Sequence, residues 1–365
     1  MKIEGKTVSS IRLTLADHVR RGDLWESMEG GWVRCGACGH RCRIAPGREG
    51  ICHVRFNRDG VLFVPHGYVA ALAIDPVEKK PFFHVLPGSK ALSFGMLGCD
   101  YRCGYCQNWQ TSQAIRDPRA GTSPELMTAE EIVSLAVEHR VAMLTSTYNE
   151  PLITSEWAVD IFRLARTHGI RCSFVSNGNG TAEVIQYIRP YIDCYKIDLK
   201  SFRQKNYQQL GGRLDNVLDT IQLLKQEGVW LEIVTLVVPG FNDSDEELKE
   251  IAGFITSVSS DIPWHVTAFH PDYHMMDPDP TPSESLIRAA EIGEAAGLHF
   301  VYAGNLPGRT GRFENTFCPA CRTVLVERRG FTVLRTTIHQ GRCPRCQKEV
   351  PGIWEPSSHS LSAFV

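Results

Sequence analysis

Short apolar runs alternate with amphipathic, helix-like stretches from about residue 91 to about residue 303 of this 365-residue chain. Strand-length runs followed by helical periodicity indicate repeated βα units, which build parallel sheets. The sequence therefore predicts an α/β fold, either a parallel barrel, whole or partial, or a doubly wound open sheet, with functional loops after the strands' carboxyl ends. The predicted strands are 91–97, 142–147, 172–176, 194–198, 230–238 and 264–269, with 298–302 as a seventh candidate.

The composition is that of an ordinary globular enzyme, with 43% hydrophobic and 22% charged residues. No segment approaches the roughly 18 apolar residues of a membrane helix, and the first residues form no apolar secretory core. We therefore expect a cytoplasmic protein without membrane contacts, in which thiols stay reduced. The net charge of −2 argues against broad electrostatic binding of nucleic acid.

Thirteen cysteines are many for a reducing compartment, and all but Cys172 and Cys194 fall into three tight groups. Such clustering indicates metal coordination rather than disulfides. The groups also divide the chain. We predict a Cys-rich amino-terminal domain over residues 1–90, a βα domain over 91–305 and a small carboxyl-terminal domain over 312–355.

The middle group, Cys99-x3-Cys103-x2-Cys106, follows the first predicted strand. A four-iron cluster normally takes one thiolate per iron, so three cysteines leave one iron open to another ligand. The methionyl amino and carboxylate groups of S-adenosylmethionine fit that position, and the ring of Tyr105 could lie against the adenine. Asn108, just after the loop, could donate to a cluster sulfide. The alternatives are a three-thiolate zinc site and buried, unreactive cysteines.

This loop resembles the cluster loop of the radical S-adenosylmethionine superfamily, in which an aromatic residue precedes the third cysteine. The resemblance implies a partial (β/α)6-type TIM barrel, a [4Fe–4S] cluster and S-adenosylmethionine as cofactor. It also makes Cys99, Cys103 and Cys106 the catalytic cluster ligands.

Further cofactor contacts are implied at the ends of later strands. Asn149 and Glu150 stand where the superfamily has a Gly-Gly-Glu-Pro motif, with Glu150 toward the methionyl ammonium. Asp198-Leu-Lys200 resembles the Asp-Leu-Lys of glycyl-radical-activating enzymes, which faces the carboxylate and sulfonium end of the cofactor. His270 matches a Pro-Phe-His segment near the ribose. Ser176 and Asn177 end the third strand at the same edge. The alternative for these residues is an ordinary turn or a solvated ion pair.

The last cysteine group consists of two Cys-x2-Cys knuckles separated by a stretch of hairpin length, which predicts a four-thiolate zinc ribbon. Its members are Cys318, Cys321, Cys343 and Cys346. An additional iron–sulfur cluster is the alternative. Structural zinc there would substitute for a core too small to fold alone.

The first cysteine group offers four thiolates within 18 residues, with His40 and His53 beside them. Zinc is the first interpretation of this group, and an auxiliary cluster that relays electrons is the alternative. Its members are Cys35, Cys38, Cys42 and Cys52.

Four further segments resemble the radical enzymes of the AmmeMemoRadiSam system, which are similar to the activating enzyme of pyruvate formate-lyase. The segments are residues 35–52, 75–89, 107–109 and 237–243, within a match from about residue 30 to 310. The resemblance implies reduction by flavodoxin or ferredoxin and hydrogen abstraction from an undefined substrate. The carboxyl-terminal ribbon departs from this pattern.

Three hypotheses follow. The chain is a radical enzyme acting on a protein or small molecule, including glycyl-radical activation. Alternatively, it is a radical enzyme acting on RNA through the ribbon, or a non-enzymatic metal or electron carrier. The RNA hypothesis depends on the basic residues of the tail, which are Arg322, Arg328, Arg329, Arg335, Arg342, Arg345 and Lys348.

Overall fold

The computed structural model describes residues 17–355, and its first part is a pair of small antiparallel sheets. Strands β1, β6 and β5 form one sheet, and β2, β3 and β4 form the other. Asp59 and Gly60, with φ of 54° and 81°, make the two-residue turn between β5 and β6. Asp-Gly is a preferred sequence for such left-handed hairpin turns. The strands are β1 (Val19–Arg21), β2 (Trp25–Ser27), β3 (Val33–Cys35), β4 (Arg43–Ile44), β5 (Phe56–Arg58) and β6 (Val61–Pro65).

An eight-stranded sheet forms the centre of the fold. Its order is β16-β15-β14-β13-β12-β11-β9-β8, with seven parallel strands and β8 antiparallel at one edge. Strands β7 and β10 pair separately. The bounds are β7 (Tyr68–Val69), β8 (Ala71–Pro76), β9 (Lys90–Gly95), β10 (Glu125–Leu126), β11 (Met143–Ser146), β12 (Arg171–Ser176), β13 (Cys194–Asp198), β14 (Trp230–Val237), β15 (Trp264–Ala268) and β16 (Val301–Gly304).

The parallel strands of this sheet confirm the predicted α/β class. The seventh candidate run, 298–302, forms its strand slightly later, at Val301–Gly304. The predicted strands do not include β8, which lies inside the range assigned to the Cys-rich domain. The Ala-rich run of β8 has little β-propensity, and its pairing with β9 is a tertiary contact. Within residues 17–355, the edge strands β8 and β16 do not pair with each other. The sheet is therefore open and is not a barrel closed by hydrogen bonds.

Helices connect the parallel strands. Thr128 opens α2 with a capping box, because its side chain accepts from the Glu131 N–H while the Glu131 carboxylate accepts from the Thr128 N–H. Ser244 caps α7, whose first turn carries Asp245, Glu246 and Glu247. The helices are α1 (Trp109–Ser112), α2 (Ala129–Glu138), α3 (Ser155–Thr167), α4 (Ala182–Ile188), α5 (Gln204–Leu210), α6 (Leu214–Gln226), α7 (Asp245–Val258) and α8 (Ser283–Ala295). Short 3-10 helices span Glu29–Gly31, Val77–Lys79, Pro151–Thr154, Arg189–Tyr191 and Gly311–Glu314.

The amino-terminal segment and the central sheet share one hydrophobic core. Leu24 and Val54 pack in the same buried cluster as Phe94 of β9 and Phe174 of β12. This shared core matters for the site. It contains cysteines of the first group together with residues of β9, the strand that precedes the second cysteine group. The boundaries of the three domains stay a prediction.

The carboxyl-terminal part forms a three-stranded antiparallel sheet that packs on the far edge of the central sheet. Its strands are β17 (Thr316–Phe317), β18 (Val324–Arg329) and β19 (Thr332–Thr336). Leu325 and Val326 share a buried cluster with Phe83, Phe300 and Tyr302. None of the helices between residues 17 and 355 has the length and apolarity required to cross a bilayer.

Candidate radical active site

One cavity of about 700 Å³ lies at the carboxyl ends of the parallel strands. All twelve residues that the sequence singled out around the middle cysteine group line it, together with residues from β13, β14 and β15. Side chains from the ends of adjacent parallel strands meet at one edge of a sheet, which explains the convergence. The structure therefore brings the predicted cluster and cofactor residues together, while their chemical roles stay predictions.

The loop with the three cysteines begins at Gly98, where the backbone turns sharply. Gly98 has φ of 93°, and a Cβ there would lie 2.8 Å from Cγ1 of Val54 and 3.1 Å from the carbonyl oxygen of Cys52. Only glycine allows both this conformation and this close approach. The amino-terminal segment thus fixes the path of the loop.

The three thiols point into the cavity from a largely buried loop. Burial raises the pKa of the Cys103 thiol to about 12, so in the absence of metal the proton stays on sulfur. Metal binding would displace that proton. The hydroxyl of Ser112 lies 3.2 Å from Cys106 Sγ, and the Tyr101 N–H donates to Cys99 Sγ at 3.4 Å. Such hydrogen bonds to sulfur stabilise thiolates in iron–sulfur sites.

Glu150 is buried at the end of β11 and is held by three donors. Oε1 accepts from Ser176 Oγ at 2.7 Å and from the Leu152 N–H at 3.1 Å, while Oε2 accepts from the Asn177 N–H at 2.8 Å. Burial, reinforced by the nearby Asp100 carboxylate, nevertheless raises the pKa of Glu150 to about 8. A cation bound next to Glu150 in the cavity would lower the pKa of this carboxyl again.

The residue before Asn149 keeps the backbone shape that a glycine would take. Tyr148 has φ of 69°, the left-handed region that a non-glycine residue rarely adopts. Its carbonyl accepts from Thr111 Oγ1 at 2.7 Å, and its ring lies 5.2 Å from Lys80 Nζ. Asn149 accepts from the Met96 N–H at 3.0 Å and so ties this turn to β9. Tyr148 therefore holds a backbone conformation that glycine adopts more readily.

Asp198 lies between two lysines on the cavity side of β13. Lys196 Nζ and Lys200 Nζ both bond its carboxylate, the latter at 3.1 Å. Burial favours the neutral acid, but the two positive charges outweigh it and lower the pKa of Asp198 to about 2. Lys196 was missed in the sequence, although strand alternation places residues 196, 198 and 200 on one face.

The remaining predicted residues lie around the rim and floor of the cavity. The ring of Tyr105 is buried against Phe241, with centroids 5.9 Å apart. Asn108 is exposed at the rim. His270 is also exposed, and its Nε2 lies 3.1 Å from Nε2 of Gln107 on the cysteine loop.

Asp100 is a buried residue that links the cysteine loop to the loop after β12, and the sequence alone did not point to it. Its Oδ1 accepts from Asn177 Nδ2 at 2.7 Å, and its Oδ2 accepts from Asn179 Nδ2 at 2.8 Å. His40 Nε2, from the first cysteine group, lies 3.9 Å from Oδ2. No local pattern marks an aspartate between two cysteines, since its hydrogen-bond partners come from the loop after β12.

Groups on the far side of the cavity were also missed. His265 of β15 bonds buried Glu232 at 2.7 Å, and Tyr302 of β16 bonds Thr316 at 2.8 Å. Phe331, in the turn between β18 and β19, lines the same cavity. The carboxyl-terminal sheet therefore contributes directly to the cavity wall.

The carboxyl-terminal cysteines have the spacing of ligands to one ion. The ligand atoms of Cys318, Cys321, Cys343 and Cys346 all lie within 4.8 Å of one another. The Cys318–Cys346 sulfurs are 3.5 Å apart and the Cys321–Cys343 sulfurs 3.6 Å apart. The Thr323 hydroxyl and N–H lower the pKa of Cys321 to about 6, which favours the ligating thiolate.

The first cysteine group does not form such a compact set among the described residues. Across residues 17–355, no three ligand atoms of Cys35, Cys38, Cys42 and Cys52 meet the 4.8 Å limit, and the same is true of the loop with Cys99. Cys35, Cys38 and Cys52 are buried, whereas Cys42 is partly exposed.

The basic tail offers less free charge than its sequence suggested. Arg328 is buried, donating to Thr316 Oγ1 at 2.8 Å and to the Phe83 carbonyl at 2.7 Å. Arg322 and Arg342 lie 3.4 Å and 3.9 Å from carboxylates of glutamates. This arrangement weakens the interpretation of the tail as a nucleic-acid handle.

Comparison with known proteins identifies the class. Residues 95–255 match the model of the radical SAM superfamily. The chain is 35% identical over 336 residues to the uncharacterized protein MJ0808 of Methanocaldococcus jannaschii, covering 91% of this chain and 99% of that one. It is 25% identical to the pyruvate formate-lyase-activating enzyme of Clostridium pasteurianum over 47% of this chain and 71% of that enzyme. The chain belongs to the radical SAM superfamily.

A solved domain of pyruvate-formate lyase-activating enzyme from Bacteroides vulgatus is also similar. It matches with a TM-score of 0.39 and 18% identity, covering 44% of this chain and 98% of that domain. Membership of the superfamily implies a [4Fe–4S] cluster and S-adenosylmethionine as cofactors, and radical catalysis as the general activity.

Proposed function

We propose that Cys99, Cys103 and Cys106 hold a [4Fe–4S] cluster and that S-adenosylmethionine binds in the same cavity. When bound, this pair supplies reductive cleavage to methionine and a 5′-deoxyadenosyl radical that abstracts hydrogen from a substrate. The observation that carries the proposal is the convergence of three thiols and nine polar or aromatic residues on one 700 Å³ cavity. The open sheet would then be a partial (β/α) barrel.

The residues of the cavity suit the two ends of the cofactor. Glu150 would take the methionyl ammonium, and Lys200 would take the carboxylate, because each lines the cavity beside the cysteine loop with a charge opposite to its partner. Glu150 is buried, and Lys200 is partly exposed. Asp198 would face the sulfonium, Tyr105 the adenine and His270 the ribose. Ser176 and Asn177 position Glu150 through their hydrogen bonds.

The substrate class is a protein or small molecule, and glycyl-radical activation is included because one reported relative is a pyruvate formate-lyase-activating enzyme. Flavodoxin or ferredoxin would be the electron donor. The direct test is to incubate anaerobically reconstituted, reduced protein with S-adenosylmethionine and to quantify methionine and 5′-deoxyadenosine. Formation of neither product would contradict the proposal. Transfer of deuterium from labelled candidate substrates into 5′-deoxyadenosine would then identify the substrate.

The binding of S-adenosylmethionine should depend on the titration of Glu150. The free carboxyl has a pKa of about 8 and the ammonium binds the carboxylate, so binding must release a proton. Affinity should therefore rise from pH 6 to pH 8, by at most about tenfold per unit. Equilibrium binding to cluster-loaded protein measures this slope.

Glu150→Gln should bind more weakly and lose the pH dependence, because an amide carries no titrating charge. Glu138→Gln, at the exposed end of α2, is the matched control and should keep the parental slope. An unchanged slope in Glu150→Gln would show that another group carries the proton.

The carboxyl-terminal group is proposed as a structural zinc site. Thiolates at about 2.3 Å from a tetrahedral ion lie roughly 3.8 Å apart, close to the 3.5 Å and 3.6 Å separations observed. We expect Cys343→Ala to lose about one zinc per chain, as measured by elemental analysis. Cys194→Ala replaces a buried cysteine outside the three groups, and this variant should keep the zinc content of the parental protein. Equal zinc contents in the two variants would refute the assignment.

A further inference from the structure

We propose that the substrate binds to one wall of the cavity and is a small molecule that donates a hydrogen bond from an N–H or O–H group to Nδ1 of His265. The assignment rests on the proposed function, because it concerns the substrate of the same cavity. We call this part of the lining the far wall. Its residues are Phe83, Val234, His265, Tyr302 and Phe331, to none of which a cofactor contact is assigned.

Glu232 holds His265 in one orientation on the far wall. The Glu232 carboxylate bonds His265 Nε2 at 2.7 Å. It also accepts from the N–H groups of Phe83 and His84 at 3.0 Å and 2.9 Å, and from the indole N–H of Trp230 at 3.1 Å. Burial opposes the charge of Glu232, but the bond from His265 outweighs it and the pKa of this carboxyl is lowered. Since a carboxylate can only accept, the imidazole ring donates from Nε2.

The second ring nitrogen of His265, Nδ1, is an open acceptor. Burial lowers the pKa of His265 even beside Glu232, so the ring is neutral, and its proton on Nε2 leaves a lone pair on Nδ1. Nδ1 has no hydrogen-bond partner within residues 17–355, although His265 as a whole is only 1% exposed. It is also not one of the fully enclosed polar atoms of that range, so it opens on the cavity that His265 lines. A ligand that supplies a donor completes the hydrogen bonding of this ring.

The surroundings of His265 on the far wall are aromatic. The ring of Tyr302 stacks on His265 with centroids 5.0 Å apart, and the ring of Phe83 packs edge-on at 4.8 Å. The Tyr302 hydroxyl is occupied, because it lies 2.7 Å from His84 Nε2 and 2.8 Å from Thr316 Oγ1. An apolar wall with a few fixed polar atoms is typical of small-molecule sites, and a volume of about 700 Å³ lies within their usual range.

Side chains close the far wall where the sheet is open. Phe83 and His84 follow edge strand β8, and both contact Tyr302 of the other edge strand, β16. The carboxyl-terminal part fixes these two residues, because Arg328 donates to the Phe83 carbonyl at 2.7 Å and His84 Nδ1 donates to the Pro351 carbonyl at 2.7 Å. The tail therefore helps to close the cavity between the edge strands, which favours a small molecule over a segment of a protein as substrate.

The substrate class is tested with an extract of fully deuterated cells of the kind that produces this protein naturally. Ultrafiltration divides the extract into a low-mass and a macromolecular fraction. Each fraction is incubated with the anaerobically reconstituted, reduced full chain and unlabelled S-adenosylmethionine. We expect 5′-deoxyadenosine heavier by one deuterium with the low-mass fraction and not with the macromolecular fraction. The deuterated cofactor of the extract itself gives a much heavier product, which is counted separately.

The outcomes of this test separate the substrate class from the proposed function. Singly deuterated product from the macromolecular fraction alone would overturn the small-molecule assignment, and so would unlabelled product alone with both fractions. A parental chain that forms no 5′-deoxyadenosine would refute the proposed function itself, and the substrate class with it.

Two replacements of His265 distinguish the roles of its two nitrogens. His265→Gln can still donate to Glu232 in place of Nε2 but offers no acceptor where Nδ1 lies, whereas His265→Asn keeps an acceptor near Nδ1 and loses the bond to Glu232. With the low-mass fraction, we expect His265→Gln to lower the singly deuterated share of the 5′-deoxyadenosine by about tenfold, the worth of one hydrogen bond. His265→Asn should lower this share less. The total product reports that each variant is folded and binds the cofactor.

His299→Gln is the matched control for these variants. His299 also pairs with a carboxylate through a ring nitrogen, that of Asp261 at 2.8 Å, but it does not line this cavity. The control should therefore keep the parental share of singly deuterated product. Equal losses in the two His265 variants, or a larger loss in His265→Asn, would show that the ring matters only for its bond to Glu232 and would overturn the role of Nδ1.

Discussion

Cys103→Ala is expected to abolish reductive cleavage of S-adenosylmethionine while the rest of the chain stays folded. Cys103 is the buried member of the loop, and its loss leaves two thiolates for a cluster that needs three. Changes to residues that merely support metal ligands already cost about 10- to 100-fold in affinity or activity, so the loss of a ligand should exceed that range. The measurement is the rate of 5′-deoxyadenosine formation under anaerobic conditions with dithionite.

Cys172→Ala provides the matched control. Cys172 is buried on β12, outside the three groups, and its replacement should leave product formation near the parental rate. Zinc content should be unchanged in both variants, which shows that the tail is folded. Parental activity in Cys103→Ala would mean that the cluster assignment is wrong.

Glu156→Gln is expected to lower the free energy of unfolding by about 3–5 kcal/mol, because it leaves the Arg55 charge buried without its partner. Both side chains are at most 1% exposed, and the pair is bidentate at 2.7 Å. Glu156 also accepts from the Leu24 N–H at 3.4 Å, so it ties the amino-terminal segment to α3 at two points. Chemical denaturation of the metal-loaded protein measures the change.

Glu183→Gln is a closely matched control for this effect. Glu183 is likewise the second residue of its helix and pairs in a bidentate manner with an arginine of the amino-terminal segment, Arg41. This pair is exposed, with side chains 42% and 52% accessible, so solvent already screens it. Its replacement should cost less than about 1 kcal/mol. If the two variants lose similar amounts of unfolding free energy, burial does not decide how much each arginine–glutamate pair stabilises the fold.

Local patterns predicted the elements of the central sheet well. The run 194–198 is β13 at the predicted residues, and 142–147 contains β11. The capping box at the start of α2 likewise joins Thr128 and Glu131, three positions apart. These features depend on residues a few positions apart, since hydrophobic periodicity and capping are short-range effects. β8 escaped prediction because its strand exists through pairing with β9.

The order of strands also allowed the candidate site to be predicted in outline. Glu150, Ser176 and Asp198 each follow a strand, and parallel strands present their carboxyl ends on one side. Their common cavity follows from this rule. Asp100 and His265 did not stand out, because their partners come from distant parts of the chain. Lys196 could have been found, because strand alternation places it on the same face as Asp198, which it bonds.

The sequence by itself determined the class of fold, the grouping of eleven cysteines and membership of the radical SAM superfamily, since these depend on periodicity and spacing along the chain. Only the tertiary structure decided that the four carboxyl-terminal thiols stand close enough for a single ion. It also placed the first group behind the Cys99–Cys106 loop and Phe331 in the cavity wall. Distances between residues far apart in sequence arise from packing and strand pairing, which no local pattern encodes.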